Sequence, residues 1–261
     1  MYFQFDPVAV RDRLVKEIFG FVTENGFERV VIGISGGKDS TVAAALCARA
    51  LGKENVFGVL LPDDHQPDIE DSHRVCQALG IPHAVVNIGE THKAMCKAMR
   101  LANEHFCYGM NPHIPNSQTA GINVPPRLRM TALRYIAQAR KALLVGTGNL
   151  SEITVGYCTK DGDTSCDFSV LGELTSVEVV QIGLTMEELP RDLVIKTPSD
   201  GLCGMSDEEK LGVSYEDIHH YIRHDKELDE ETWTKIACME ARNMFKRHMP
   251  ITLRPFPKEA L

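Results

Sequence analysis

The chain reads as one α/β domain spanning residues 1–261, built as a Rossmann-like, doubly wound parallel sheet with helices on both faces. Three observations predict it. Short β-branched runs alternate with segments of helical period. The first of these runs, Val30-Val31-Ile32-Gly33-Ile34, is apolar as a strand buried on both faces should be. A Gly-rich turn joins the first run to a helix, at the strand end where such sheets bind ligands.

In order along the chain, Asp6-Pro7 caps and begins a helix whose apolar residues Val10, Leu14, Ile18 and Val22 recur at helical spacing until Gly26. Residues 29–34 form the first strand, and the turn from Ser35 to Asp39 leads into a helix over 41–51. Residues 56–61 read as a strand, 68–79 as a helix stopped by Gly80, and 83–88 as a third strand. A long helix follows over 90–106. The Asn-, Pro-, His- and Gly-rich residues 108–121 read as a loop, 126–140 as a helix, and 142–145 as a strand. Beyond it the pattern is less regular until Ser214-Tyr215-Glu216-Asp217, which reads as a capping box, and a helix over 229–249.

Composition excludes several classes. A net charge of −8 argues against a protein whose main partner is nucleic acid, which requires clustered Lys and Arg. No stretch approaches the ~20 apolar residues of a membrane span, and the start lacks the pattern of a signal peptide. Eight cysteines without a C-x-x-C pair indicate neither a zinc ribbon nor a redox dithiol. A cytoplasmic protein with free thiols is the expectation.

The chemistry starts at Ser35-Gly36-Gly37-Lys38-Asp39-Ser40. Glycines let a phosphate approach the backbone, and the helix start behind them presents free N–H groups. This is not the G-x-x-x-x-G-K-[ST] loop, because the second glycine follows at once. Asp39 is suited instead to hold magnesium against phosphate oxygens. Cys107 and His105 stand two apart and would not face one another on a helix, so no Cys-His nucleophile is read there. His219-His220 reads as helix surface.

The hexapeptide resembles the signature of the ATP pyrophosphatases, which cleave ATP between its α and β phosphates and adenylate a substrate oxygen. Four further blocks narrow the resemblance: Asn123-Val124-Pro125-Pro126-Arg127-Leu128-Arg129-Met130, Gly146-Thr147-Gly148-Asn149-Leu150-Ser151-Glu152, Gly156-Tyr157-Cys158-Thr159-Lys160-Asp161-Gly162-Asp163 and Pro198-Ser199-Asp200-Gly201-Leu202. In this order they look like NAD synthetase, over roughly residues 28–247.

That resemblance implies amidation of deamido-NAD by ammonia through an acyl adenylate, with ATP as co-substrate and Mg2+. It places ATP on Gly33, Ile34, Ser35, Gly36, Gly37, Lys38, Asp39 and Ser40, and on Gln66, Thr147, Ser176 and Ser199. Asp39 and Glu152 match magnesium ligands and, with Lys160, the catalytic positions. Arg127, Lys160, Asp167, Phe245 and Lys246 fall on positions that contact deamido-NAD. The resemblance also implies a homodimer; the nitrogen donor is free ammonia, though a separate glutaminase subunit would leave the same sequence.

Two positions depart from the pattern. The family's frequent ATP-contacting lysine falls on Ser176, and its His-Lys pair on Phe245-Lys246, so that either Lys38 or Lys196 supplies the missing charge or the chain belongs to a branch built differently. Residues 63–68 and 193–211 are expected to close over the reactive intermediate. The rival readings are another ATP pyrophosphatase with a different substrate, and a nucleotide-binding regulatory protein with reduced turnover.

Overall fold

The computed structural model describes residues 5–104, 118–196 and 206–247. Asp6 accepts the N–H groups of Val8 and Ala9 and so caps α1 (Pro7–Glu24). There follow β1 (Val30–Gly33), α2 (Lys38–Leu51), β2 (Val56–Leu60), α3 (Ile69–Leu79), β3 (His83–Val85) and α4 (Gly89–Glu104). After residues 105–117 come α5 (Gln118–Ile122), α6 (Val124–Arg140), β4 (Leu143–Gly146), α7 (Leu150–Val155) and β5 (Phe168–Ser169). The remaining helices are α8 (Ser176–Gly183), α9 (Arg191–Val194), α10 (Asp207–Leu211), α11 (Tyr215–Arg223) and α12 (Glu230–Asn243).

The strands form one sheet in the order β3-β2-β1-β4-β5, every pair parallel. The chain steps outward from β1 through β2 to β3, then returns to pair β4 on the opposite side of β1. The reversal therefore lies between β1 and β4, where the two helix-bearing connections leave in opposite directions and open a crevice. Val30 stands opposite Leu143 and Ile32 opposite Val145, so the carboxyl ends of the two strands are level. Whatever follows them shares the mouth of that crevice.

Alternation along the strands splits the core into two layers, as a strand's period of two requires. Val30, Ile32 and Val145 pack with Val22 of α1, Leu46 of α2 and Ile182 of α8. Val31 and Leu144 turn to the other face, against Met130 and Leu133 of α6. Helices thus cover both faces. A third apolar cluster, with Val155, Ile218 and Ile236 at its centre, joins α7, α11 and α12 beside the sheet.

The structure shifts several boundaries. β3 stops at Val85 rather than 88, since its partner β2 ends before Pro62, which has no N–H to extend a ladder. α6 begins at Val124 rather than 126, with Pro125 in its first turn, where the missing N–H costs nothing. Residues 118–121 of the expected loop are helical, in α5. α12 ends at Asn243 and passes through a 3-10 turn at Met244–Lys246, and residues 248–249 of the expected helix lie outside the described residues. Residues 150–211 hold more helix than their weak periodicity suggests. Asn149, Thr175 and Ser206 start α7, α8 and α10, each with a capping box closed by a glutamate three residues on.

Candidate active site

Between β1 and α2 the chain makes the turn that the Gly-rich hexapeptide demands. Gly36 has φ +79, and a Cβ there would lie 2.8 Å from the Cβ of Asp71 and 3.0 Å from the backbone nitrogen of Ser72. Any side chain would both strain the backbone and collide with α3. Ser40 Oγ lies 3.1 Å from Ser35 Oγ, accepts the Ser35 N–H at 3.2 Å and donates to the Gly37 carbonyl at 3.1 Å. Thr41 also donates to that carbonyl, at 2.8 Å. These short bonds fix the loop with α2 starting directly behind it.

Lys38 is only 4% exposed. Its ammonium sits 2.6 Å from Asp39 Oδ2 and 5.3 Å from the centre of the Tyr215 ring at the start of α11. The other Asp39 oxygen accepts from the Asn149 side-chain amide at 3.0 Å, which ties the loop after β1 to the loop after β4. Asn149 in turn caps α7: its side chain accepts the Glu152 N–H, and Glu152 Oε2 accepts the Asn149 N–H, both at 3.1 Å. Burial, followed by the charge of Asp39, pushes the Glu152 carboxyl up to about 8, although Lys38 and the Asn149 N–H oppose the shift. Two carboxylates that resist joint ionisation in one crevice suit a divalent cation.

Thr147 stands half-buried at the end of β4, and Gly33 and Ile34 at the end of β1, where the Ile34 N–H reaches the Val59 carbonyl at 2.9 Å. Ser176 is buried at the first position of α8 and donates its N–H to Ser151 Oγ at 3.1 Å, joining α8 to α7. Gln66 lies in the loop before α3 and donates to Asp68 at 3.0 Å. Ser199 lies outside the described residues. Lys196 reaches Asp71 at 2.7 Å and Asp68 at 3.2 Å, and Arg74 grips both oxygens of Asp192. The two segments expected to cover the site are therefore ion-paired across the loop's flank.

A second group gathers at the other end of α7. Lys246 donates to the carbonyls of Gly156 and Cys158 at 2.7 and 3.0 Å, and Lys160 places its ammonium 5.7 Å from the centre of the Phe245 ring. Arg127, in the first turn of α6, donates to the Lys160 carbonyl at 3.3 Å. Asp167 is committed elsewhere. It accepts the Leu144 N–H at 2.7 Å and pairs with Arg134, two turns further along α6.

Sequence reading did not single out Asn149, which bridges the two loops, or Tyr215, which lies beneath Lys38. Arg129, which the sequence allowed as part of a solvated helix face, is half-buried and donates to the Leu61 carbonyl at 2.9 Å. The block Gly148-Asn149-Leu150-Ser151-Glu152 held the signal for Asn149, a cap placed three residues before a glutamate.

A parallel sheet with a phosphate-type loop and a carboxylate pair at its point of reversal defines a nucleotide-dependent enzyme of the doubly wound class. The NAD synthase family model matches residues 10–250, and the chain belongs to that family. The NH(3)-dependent NAD(+) synthetase of Archaeoglobus fulgidus is 35% identical over 252 residues, covering 94% of this chain and 96% of that protein. Among solved structures, NMN synthetase from Francisella tularensis superposes with a TM-score of 0.85 at 27% identity, covering 97% of this chain and all of that one. NH3-dependent NAD synthetase from Campylobacter jejuni, in complex with the nitrate ion, gives 0.77 at 25% identity, covering 96% and 100%.

Proposed function

We propose that the chain is an ammonia-dependent NAD synthase, a carbon–nitrogen ligase that amidates deamido-NAD at the expense of ATP. The observation that carries this reading is the division of labour about α7. Its first turn holds Glu152 beside the loop and Asp39, while just beyond its last residue Lys246 bonds the carbonyls of Gly156 and Cys158, next to the turn that carries Lys160 and receives Arg127. Nucleotide phosphates belong at one end and an anionic substrate at the other.

The nicotinate carboxylate attacks the α-phosphorus of ATP, and the bond to pyrophosphate breaks. Ammonia then adds to the acyl carbon, the bond from that carbon to the oxygen shared with phosphate breaks with its electron pair leaving on AMP, and the nitrogen gives up a proton. The free N–H groups at the start of α2 face the departing charge. Lys38, fixed by Asp39 and the Tyr215 ring, supplies the buried positive charge that Ser176 cannot. Asp39 and Glu152 would hold Mg2+, which when bound neutralises the phosphate oxygens. Lys160 and Arg127 orient the anionic substrate. Asp167 acts on this group indirectly, by fixing α6 against β4 through Arg134 and the Leu144 N–H.

The enzyme works as a homodimer in this reading. Met95, Met99 and Leu101 of α4, Ile122 of α5 and Tyr135 of α6 are exposed apolar groups on adjoining helices, suited to a second copy. No described helix is long and apolar enough to cross a membrane.

One observation favours a second substrate. The superposition on the NMN synthetase is tighter than on the Campylobacter enzyme, 0.85 against 0.77, so the mononucleotide lacking the adenylyl half is the competitor to test. Purified chain is given ATP, Mg2+ and ammonium with either deamido-NAD or nicotinate mononucleotide, and AMP and the amide product are measured. A higher kcat/KM on deamido-NAD supports the first reading; a higher value on the mononucleotide replaces it. Glutamine in place of ammonium should give no product from the isolated chain.

A further inference from the structure

The end of α11 carries a cluster that this reaction does not use. One ligand atom each from His219, His220 and Asp225 lies within 4.8 Å of the other two. Asp225 Oδ1 is 2.7 Å from His220 Nδ1, and Oδ2 is 3.3 Å from His219 Nε2, so a single carboxylate spans two imidazoles. Consecutive histidines on a helix point in directions about 100° apart. The third residue brings them into one group. His224 adopts φ +53 beyond the last turn and folds the chain back, so that Asp225 faces the helix it has just left.

The ring of His219 is held from behind. Its Nδ1 lies 2.8 Å from Thr175 Oγ1, the hydroxyl that also caps α8, which leaves Nε2 directed at Asp225. Metal-bound histidines ordinarily have their second nitrogen fixed in this manner, which sets ring orientation and tautomer. The platform is rigid: Arg223 reaches both oxygens of Glu178, a residue 1% exposed, and so fastens α11 to α8. Glu216 also faces the cluster, its Oε1 3.7 Å from His220 Nε2. His220 Nε2 is buried and has no hydrogen-bond partner, so that nitrogen competes for nothing in the cluster.

We propose that His219 Nε2, His220 Nδ1 and Asp225 form a binding site for a divalent transition ion of the zinc class, separate from the magnesium position at Asp39 and Glu152. Two imidazoles and one carboxylate suit Zn2+, Co2+ or Ni2+, whereas Mg2+ prefers oxygen ligands and keeps its water. Asp225 is partly exposed, so the ion has a path from solvent and open positions for water. The site clasps the start of α8 to the end of α11, the helix whose first residue, Tyr215, lies under Lys38. A bound ion therefore adds a tie between the layer beside the sheet and the cap preceding Ser176.

Cobalt tests the site, because its visible spectrum reports both geometry and ligand type. Tag-free chain is cleared of metal with chelator, kept in excess Mg2+, and titrated with Co2+. The expected result is one equivalent bound with nitrogen and oxygen ligation, a raised Tm, and competition by Zn2+. The signal should persist in Asp39→Ala and vanish in both His219→Gln and Asp225→Asn, each checked for a native far-UV spectrum. Binding unchanged in either variant overturns the proposal. So does a thiolate charge-transfer band, which would place the ion on a cysteine such as the exposed Cys238.

Discussion

The two ends of α7 were assembled by different means. At its first turn, Asp39, Asn149 and Glu152 come from two strand-to-helix junctions that the sheet itself sets side by side. At its far end, Arg127, Lys160, Phe245 and Lys246 come from α6, an irregular turn and the 3-10 turn after α12, three segments that no sheet pairing sets side by side. In the first group Asn149 is bonded side chain to side chain to Asp39 and closes a capping box with Glu152; in the second, Arg127 and Lys246 are held through backbone carbonyls. In the proposed reading the first group is the rigid half of the site and the second the adaptable half, and variation in substrate should concentrate in the latter.

Asp39→Asn breaks the rigid half while keeping its shape. It removes the charge paired with Lys38 and one of the two carboxylates expected to hold magnesium, so kcat should fall by roughly 10²–10³-fold. The release of pyrophosphate at saturating substrates measures this. A loss below tenfold would mean that the charge of Asp39 is not used. Lys160→Ala attacks the adaptable half. Its KM for the anionic substrate should rise roughly 10–100-fold, the range of one charge-assisted hydrogen bond at about 1.5–3 kcal/mol, with the KM for ATP unchanged. If both constants rise together, the two ends of α7 are not separate sites.

This contrast also decides what the sequence could reveal. Strand, loop and helix are contiguous from Val30 to Leu51, and their apolar runs and glycines fix the local form, so the strand–turn–helix form was legible outright. So were Asp6 as a cap, Gly80 as a stop and the Ser214–Asp217 capping box. The short helices described between residues 150 and 211 span four to eight residues, too few for a helical period to register, although the caps of α7, α8 and α10 were spelled out. Arg127, Lys160, Phe245 and Lys246 could be grouped only through a resemblance of ordered blocks, since nothing local says that distant segments will meet. Asp225 shows the limit of spacing rules: two histidines without a helical third ligand looked like surface, and the αL turn at His224 supplied it.

The carboxylate pair sharpens the comparison through pH. In the chain without divalent metal, Glu152 holds its proton up to about 8, while in the unfolded chain it loses it near 4.5. Between those values the folded state binds more protons than the unfolded one, so stability declines as pH rises and levels off above 8. The decline in Tm from pH 5 to pH 8.5 attributable to this group should be on the order of 5 °C. Glu152→Gln should remove that component, and MgATP should offset it in the parent chain. A parent and variant with parallel Tm profiles would show that burial and Asp39 do not act on Glu152 as the geometry requires.

The smallest effect belongs to Phe245, and it separates contact with substrate from support of a neighbour. Its ring is 60% exposed, so truncation opens no cavity and Tm should hold. What the ring offers is a face for the Lys160 ammonium at 5.7 Å, an attraction of about 0.5–1 kcal/mol in so exposed a place. Phe245→Leu should therefore raise the KM of the anionic substrate only about two- to fivefold, and less than that in a Lys160→Ala background, where there is no ammonium left to orient. Equal losses in the two backgrounds would mean that the ring meets the substrate itself, and a change confined to the longer of the two candidate substrates would locate that contact on the adenylyl half.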